Sequence, residues 1–266
     1  MLMLVGSVER RRELPFQTTS DLRAGLRAGQ SSIGSWMQLC DSGVAVLMGA
    51  AGYDWVAVDL EHGRYGEDRL PDIFRALAAG GTLPFARLGQ VDAYNIKVAL
   101  DAGAQGLIFP MIEGPEHVRQ AVSWSHYPPR GSRGVGYSPA NLFGKAFNDY
   151  RKSIDPFLVA QIEHKDAARN IEAILAVEGL DAIMIGPYDL SASMGLTGEF
   201  DHPAFREVLA GVMAACARKG IPAGQHVVTP EHRRLEATLA EGYRFVAYCT
   251  DAIFLWNGAS RPDIIS

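Results

Sequence analysis

Eight short apolar runs recur along the chain, at residues 33–37, 55–60, 85–88, 106–109, 157–162, 182–185, 223–227 and 245–249. Several are apolar at nearly every position, as strands are when both faces of a parallel sheet are covered. Between them the spacing of apolar residues lengthens to three and four. That predicts helices near 42–51, 67–79, 92–102, 115–124, 166–177, 203–219 and 230–241, with a weaker one after Asp251. Gly52, Gly80, Gly103, Gly179, Gly220 and Gly242 close these segments, where a left-handed C-cap suits a residue without a Cβ. Residues 1–19 have no periodicity and predict an N-terminal arm. Ser20 then reads as the N-cap of a short helix over 21–28, ended by Gly29. Strand and helix alternating eight times in 266 residues predict an α/β fold, a (β/α)8 TIM barrel forming one domain over 20–266. A doubly wound sheet is the alternative, but no Gly-x-Gly-x-x-Gly follows the first strand.

Two segments break the rhythm. Residues 125–156 are long for a strand-to-helix connection, and their Gly and Pro content predicts an ordered loop rather than a further helix. The chain also stops soon after the eighth strand, so the closing helix must be short.

Composition narrows the class. The formal charge is −5, with no basic block beyond Arg10-Arg11-Arg12, which argues against a nucleic-acid partner. Cys40, Cys216 and Cys249 have no motif spacing and read as thiols in a reducing compartment. The opening Met-Leu-Met-Leu-Val is too short for a signal-peptide core, and no apolar run approaches membrane-spanning length. These features predict a soluble, cytoplasmic chain with no membrane partner.

In barrels the chemistry sits at the C-terminal ends of the strands. Trp36 and Gln38 lie at the end of the first, Asp59-Leu60-Glu61-His62-Gly63 at the second, and Arg87 at the third. The fourth ends Phe109-Pro110, with Asp101 in the helix before it. Gln161 and Glu163 end the fifth, and Gly186-Pro187-Tyr188-Asp189 follow the sixth. The fifth strand, its helix and the sixth strand form a βαβ unit, whose parallel strands open onto one face. Glu163 and Asp189 then meet there, and two carboxylates in one mouth repel unless a cation lies between them. Mg2+, Mn2+ or Co2+ held by oxygen ligands is the natural occupant. Taken singly, each of these residues has an ordinary structural reading: a surface acid, a strand-capping histidine, a core tryptophan, a salt-bridge partner. Together they suit an enolate, with Arg87 and a metal at Glu163 and Asp189 sharing charge on the keto oxygen of a 2-oxo acid. His62 is the group with a near-neutral intrinsic pKa and so the candidate proton carrier. Lys97, Lys145, Lys152, Lys165 and Lys219 fall in helical or loop segments, which argues against an imine route.

The pattern Asp-Trp-x-x-x-Asp-x-Glu-His-Gly, an Arg, Asp-x-Gly-Ala-x-Gly, Gln-x-Glu and Gly-Pro-x-Asp-Leu-Ser resembles the HpcH/HpaI class II pyruvate aldolases of the phosphoenolpyruvate/pyruvate superfamily. The resemblance spans roughly 30–255. It implies a metal-dependent lyase cleaving a 4-hydroxy-2-oxo acid to pyruvate and an aldehyde, with Glu163 and Asp189 as metal ligands and Arg87 stabilising the pyruvate enolate. It further implies Gln161 beside a metal water, and His62 paired with an Asp101 donated by a neighbouring subunit. Asp59 and Glu61 become supports, and Trp36 lines the aldehyde pocket. The amides around Gly186 to Asp189 receive the pyruvate carboxylate. A homo-oligomer, trimer or hexamer, with its C-terminal helix swapped between barrels, is implied as well. The chain departs at Tyr188, where alanine is common, and in its short end Asn257-Gly258-Ala259-Ser260-Arg261-Pro262. The competing functions are a malyl- or citramalyl-CoA lyase, an oxaloacetate decarboxylase, and a barrel that binds a 2-oxo acid without turning it over. A CoA substrate calls for a basic nucleotide site that the sequence does not display, and a pure binder has no use for a proton carrier.

Overall fold

The computed structural model describes residues 16–259 and Arg261. Within them eight parallel strands close into a barrel in chain order. They are β1 (Ser32–Met37), β2 (Trp55–Asp59), β3 (Leu83–Arg87), β4 (Gly106–Phe109), β5 (Phe157–Ile162), β6 (Ala182–Ile185), β7 (Ala223–Val227) and β8 (Phe245–Thr250). The helices around them are α1 (Thr19–Arg27), α2 (Ser42–Ala50), α3 (Leu70–Ala79), α4 (Ala93–Ala102), α5 (Pro115–Ser125) and α6 (Phe147–Ser153). They continue as α7 (Lys165–Arg169), α8 (Ile171–Leu175), α9 (Pro187–Ser193), α10 (Pro203–Lys219), α11 (His232–Ala240) and α12 (Asp251–Gly258). This is the expected TIM barrel.

Alternate residues of each strand serve two cores, because side chains along a strand point to opposite faces. Val56, Val58, Ala86, Leu107, Leu158, Ile183 and Val246 face outward onto the helices. Trp55, Phe85, Phe157 and Phe245 face inward and form an aromatic layer across the barrel. Trp55 stacks on Phe245 with ring centroids 4.3 Å apart, and Phe85 lies 5.5 Å from Trp55. Glycine makes room for these rings. A Cβ on Gly34 would lie 2.1 Å from the Trp55 ring, and one on Gly106 would lie 2.4 Å from the Phe85 ring. Such pairing of large with small residues is how a narrow barrel fills without voids.

Helix α1 stoppers the opposite end from the site. Phe16, Leu22 and Leu26 join the inner core. Arg23 forks onto Asp181 and reaches Asp155 at 2.9 Å, tying α1 to the strand starts. The cap of α1 is Thr18, not Ser20: its hydroxyl accepts from the Asp21 amide while Asp21 accepts from the Thr18 amide. The same motif therefore sits two residues earlier than the sequence suggests. The predicted arm lies outside the described residues up to residue 15, and Phe16 is already core.

The other differences are also tertiary overrides of local pattern. The expected single helix over 166–177 breaks at Asn170 into α7 and α8. The 125–156 connection is not wholly loop. It carries a 3-10 segment, Pro139–Gly144, and α6, whose Tyr150 hydroxyl donates to the Leu100 carbonyl at 3.2 Å. Seven residues hold a helix only with such anchoring. Helix α9, which starts with Pro187 at its N-terminus, is short for a periodicity signal. Among the described residues, no helix is long and apolar enough to cross a membrane.

The register fixes the site. Asp59 pairs with Arg87 across β2 and β3, and Ile162 pairs with Ile185 across β5 and β6. The residues just beyond these pairs emerge level with one another at the C-terminal rim. The aromatic layer beneath that rim makes one prediction: Gly106→Ala lowers stability by about 1–3 kcal/mol through overpacking against Phe85. A urea midpoint unchanged from wild type would show that the layer has slack.

Candidate active site

Arg87 is the centre of the rim. Its Nε donates to Asp59 Oδ1 at 2.9 Å and one terminal nitrogen donates to Asp59 Oδ2 at 2.6 Å. The other terminal nitrogen lies 3.2 Å from Glu61 Oε2. The guanidinium carbon sits 4.6 Å from the Trp36 ring centroid. A guanidinium has five N–H donors. Three are directed to these carboxylates, which leaves one on each terminal nitrogen.

Asp59 is fully buried and saturated. Besides Arg87 it accepts from Gln38 Nε2 and from the amides of Glu61 and His62. Burial alone would raise its pKa, but the Arg87 hydrogen bonds and charge prevail and hold it below the usual carboxylate range. Asp59 therefore stays ionised, and its role is to clamp Arg87 and to shape the turn that carries Glu61 and His62.

Glu163 and Glu61 are compensated less fully. Glu163 is buried, its Oε1 accepting from the Met111 amide at 2.7 Å and its Oε2 from Gln161 Nε2. Burial first, and then the charges of Glu61 and Asp189, push its pKa up to about 7. Glu61 is raised as well, chiefly by burial, with Asp189 and Asp59 adding repulsion. Asp189 lies in the first turn of α9, exposed to the same mouth. Among the described residues no group of three or more His, Cys, Asp or Glu is disposed to hold a metal by itself. Two carboxylates nevertheless suit an ion that keeps positions open for substrate. Two further observations fit a cation here: Gln161 Oε1 is buried without a partner, and Gly186 places no side chain against Glu163 Oε2. A Cβ on Gly186 would come within 2.7 Å of that oxygen.

A cavity of about 740 Å³ opens over these groups, lined by Trp36, Asp59, Arg87, Gln161 and the segment from Gly186 to Asp189. Of the four amides expected there to receive a carboxylate, Gly186 donates to Ile162 and Pro187 has none. Tyr188 and Asp189, in the first turn, are the donors without an intrahelical acceptor. The Tyr188 ring packs edge-on against Phe200 with centroids 4.9 Å apart and walls the mouth.

The expected pairing of His62 with Asp101 is not assembled within one chain. His62 is exposed, its Nε2 3.9 Å from Glu61 Oε2. Asp101, on α4, is instead bound at 2.6 Å by Arg133, a fully buried guanidinium of the 125–156 connection.

Some contributors escape a reading by residue type. The Met111 amide reaches Glu163 because Met111 takes a positive φ of 50°, and backbone conformation leaves no mark on side-chain identity. His226, near the end of β7, lines the cavity against Trp36. Extending the search for polar strand-end residues to the seventh strand would have found it.

Comparison with known proteins gives the family. A model of the HpcH/HpaI aldolase/citrate lyase family matches residues 32–257. The hydroxypyruvate/pyruvate aldolase of Sagittula stellata is 37% identical over 239 residues, covering 89% of this chain and 94% of that protein. The 2-keto-3-deoxy-L-rhamnonate aldolase of Salmonella gallinarum is 36% identical, covering 88% of each. A solved HpcH/HpaI aldolase/citrate lyase family protein from Burkholderia cenocepacia superimposes with a TM-score of 0.84 at 31% identity, covering 91% of this chain and 96% of that one. These matches run through every strand that builds the rim, and the chain belongs to the HpcH/HpaI aldolase/citrate lyase family.

Proposed function

We propose that this protein is a divalent-metal-dependent aldolase that reversibly cleaves a 4-hydroxy-2-oxo acid to pyruvate and an aldehyde. The observation that carries the reading is the meeting, in one mouth, of a clamped guanidinium with spare donors and a set of facing carboxylates. Glu163 and Asp189 would hold the ion, with Gln161 beside them. When bound, Mg2+, Mn2+ or Co2+ supplies Lewis-acid polarisation of the keto oxygen.

The chain's own groups do the rest. Arg87 turns its two unspent N–H donors toward the oxygen that gains negative charge as the C3–C4 bond breaks. Asp59 and Glu61 keep it from rotating away, so the donors are in place before the charge develops. The Tyr188 and Asp189 amides receive the substrate carboxylate. His62 accepts the 4-hydroxyl proton during cleavage and returns it in the reverse addition. Asp101 of a neighbouring subunit orients His62, while Arg133 holds Asp101 in place on its own barrel. Exposed apolar side chains support assembly into a trimer or hexamer: Leu47 on α2, Leu255 on α12, and Leu142 and Phe143 in the 125–156 connection. Free Cys40, Cys216 and Cys249 accord with a cytoplasmic location.

Chelation tests the reading directly. EDTA abolishes aldol cleavage, and added Mg2+, Mn2+ or Co2+ restores it. Persistence in EDTA, together with inactivation by borohydride in the presence of pyruvate, would establish an imine route instead.

The clamp makes Arg87→Lys more informative than Arg87→Ala, which would strand Asp59 as a buried, unpaired charge. Lysine keeps the cation but loses the fork. We expect kcat to fall by about a hundredfold, or roughly 3 kcal/mol, with the KM for the oxo acid changed only a few-fold. A raised KM with normal kcat would reduce Arg87 to a substrate anchor.

A further inference from the structure

Arg87 and the carboxylates account for the half of the cavity that takes pyruvate. The other half, along β1, β7 and β8, holds polar atoms that this chemistry leaves unused. Trp36 is 4% exposed and its Nε1–H is buried without a partner. Against it stands His226, its ring centroid 5.8 Å from that of Trp36. The same indole contacts Arg87. His226 is thus one ring removed from Arg87, on the side of the cavity away from the carboxylates.

The protonation pattern of His226 follows from its bonding. Nε2 lies 3.2 Å from the Cys249 carbonyl oxygen on β8. A carbonyl only accepts, so Nε2 carries the proton. Burial, the largest influence, and nearby Arg87 lower the His226 pKa to about 4, so the ring is neutral near pH 7 and Nδ1 is left as an acceptor. Cys249, with a positive φ of 58°, holds its carbonyl where it also accepts from the Ser35 hydroxyl at 3.3 Å. Strand β8 therefore fixes the tautomer before any ligand arrives. Among the described residues Nδ1 has no hydrogen-bond partner, yet it is not among the sealed, unsatisfied atoms. Its remaining access is to the cavity that His226 lines.

From this juxtaposition we propose that His226 is a specificity-determining residue that accepts a hydrogen bond from a hydroxyl group on the aldehyde, so that the enzyme selects hydroxylated aldehydes over their deoxy counterparts. The inference rests on the aldolase reading above and names the class of its second substrate. Nδ1 is the acceptor offered, on a ring whose other nitrogen is already committed to Cys249. A site that keeps such groups unpaired for a ligand hydroxyl penalises the analogue that lacks it, because the protein's polar atoms then stay unsatisfied.

The test compares kcat/KM for pyruvate addition to glycolaldehyde and to acetaldehyde, which differ by that hydroxyl alone. We expect wild type to favour glycolaldehyde by about tenfold or more. His226→Leu, which keeps bulk but offers no acceptor, collapses the ratio toward one. His226→Asn, whose amide oxygen can stand near the position of Nδ1, retains part of the preference. It also guards against a leucine variant that does not fold. If both aldehydes react and neither substitution moves the ratio, or if both substitutions lower the two reactions equally, the assignment is overturned and the aldolase reading stands. If wild type with metal condenses pyruvate with neither aldehyde nor any of a wider panel, both fail.

Discussion

The site depends on one ion pair between neighbouring strands. Asp59 and Arg87 are register partners at the last positions of β2 and β3, so their side chains leave the barrel on the same side at the same height. The pair is bidentate and shielded from water, which gives it a fixed orientation that a surface pair lacks. Losing either partner would strand a charge in low dielectric, so the pair also locks the rim. From that lock follow the turn bearing Glu61 and His62, the pose of Arg87 over Trp36, and the spare donors aimed at the cavity.

A second constraint is electrostatic. One side of the rim carries a satisfied carboxylate and its cation, and the other carries Glu163 and Asp189 with Glu61 between. The contrast is visible in the directions of the shifts: Asp59 is held down by Arg87, while burial and like charge raise Glu163 to about 7. Buried Glu163, facing two further acids, favours a cation or a proton beside it. The backbone joins in, since the strained Met111 amide and the missing side chain at Gly186 both serve Glu163.

Much of this was legible in the sequence because barrel strands are buried on both faces and announce themselves as apolar runs. The strand-end rule then converts position into chemistry: Asp59, Arg87 and Gln161 lie at the ends of runs that the pattern marks, and Glu163 and Asp189 lie just beyond them. What escaped depended on which partner a residue finds and on backbone conformation. The cap of α1 is Thr18 because Asp21 answers it, and α6 exists because Tyr150 finds Leu100. The positive φ at Met111 and Cys249 is invisible in residue type. The His62–Asp101 pairing stands apart, since one chain places Asp101 on Arg133 and His62 beside Glu61.

The central claim is that this rim makes an enolate of pyruvate. The most direct measurement is exchange of pyruvate methyl protons with deuterium oxide, followed by nuclear magnetic resonance with no aldehyde present. The account predicts exchange that requires a divalent cation, stops with EDTA, and is lost in Glu163→Gln. Exchange that persists in EDTA, or aldol cleavage by an enzyme that never exchanges the methyl protons with metal present, would contradict it.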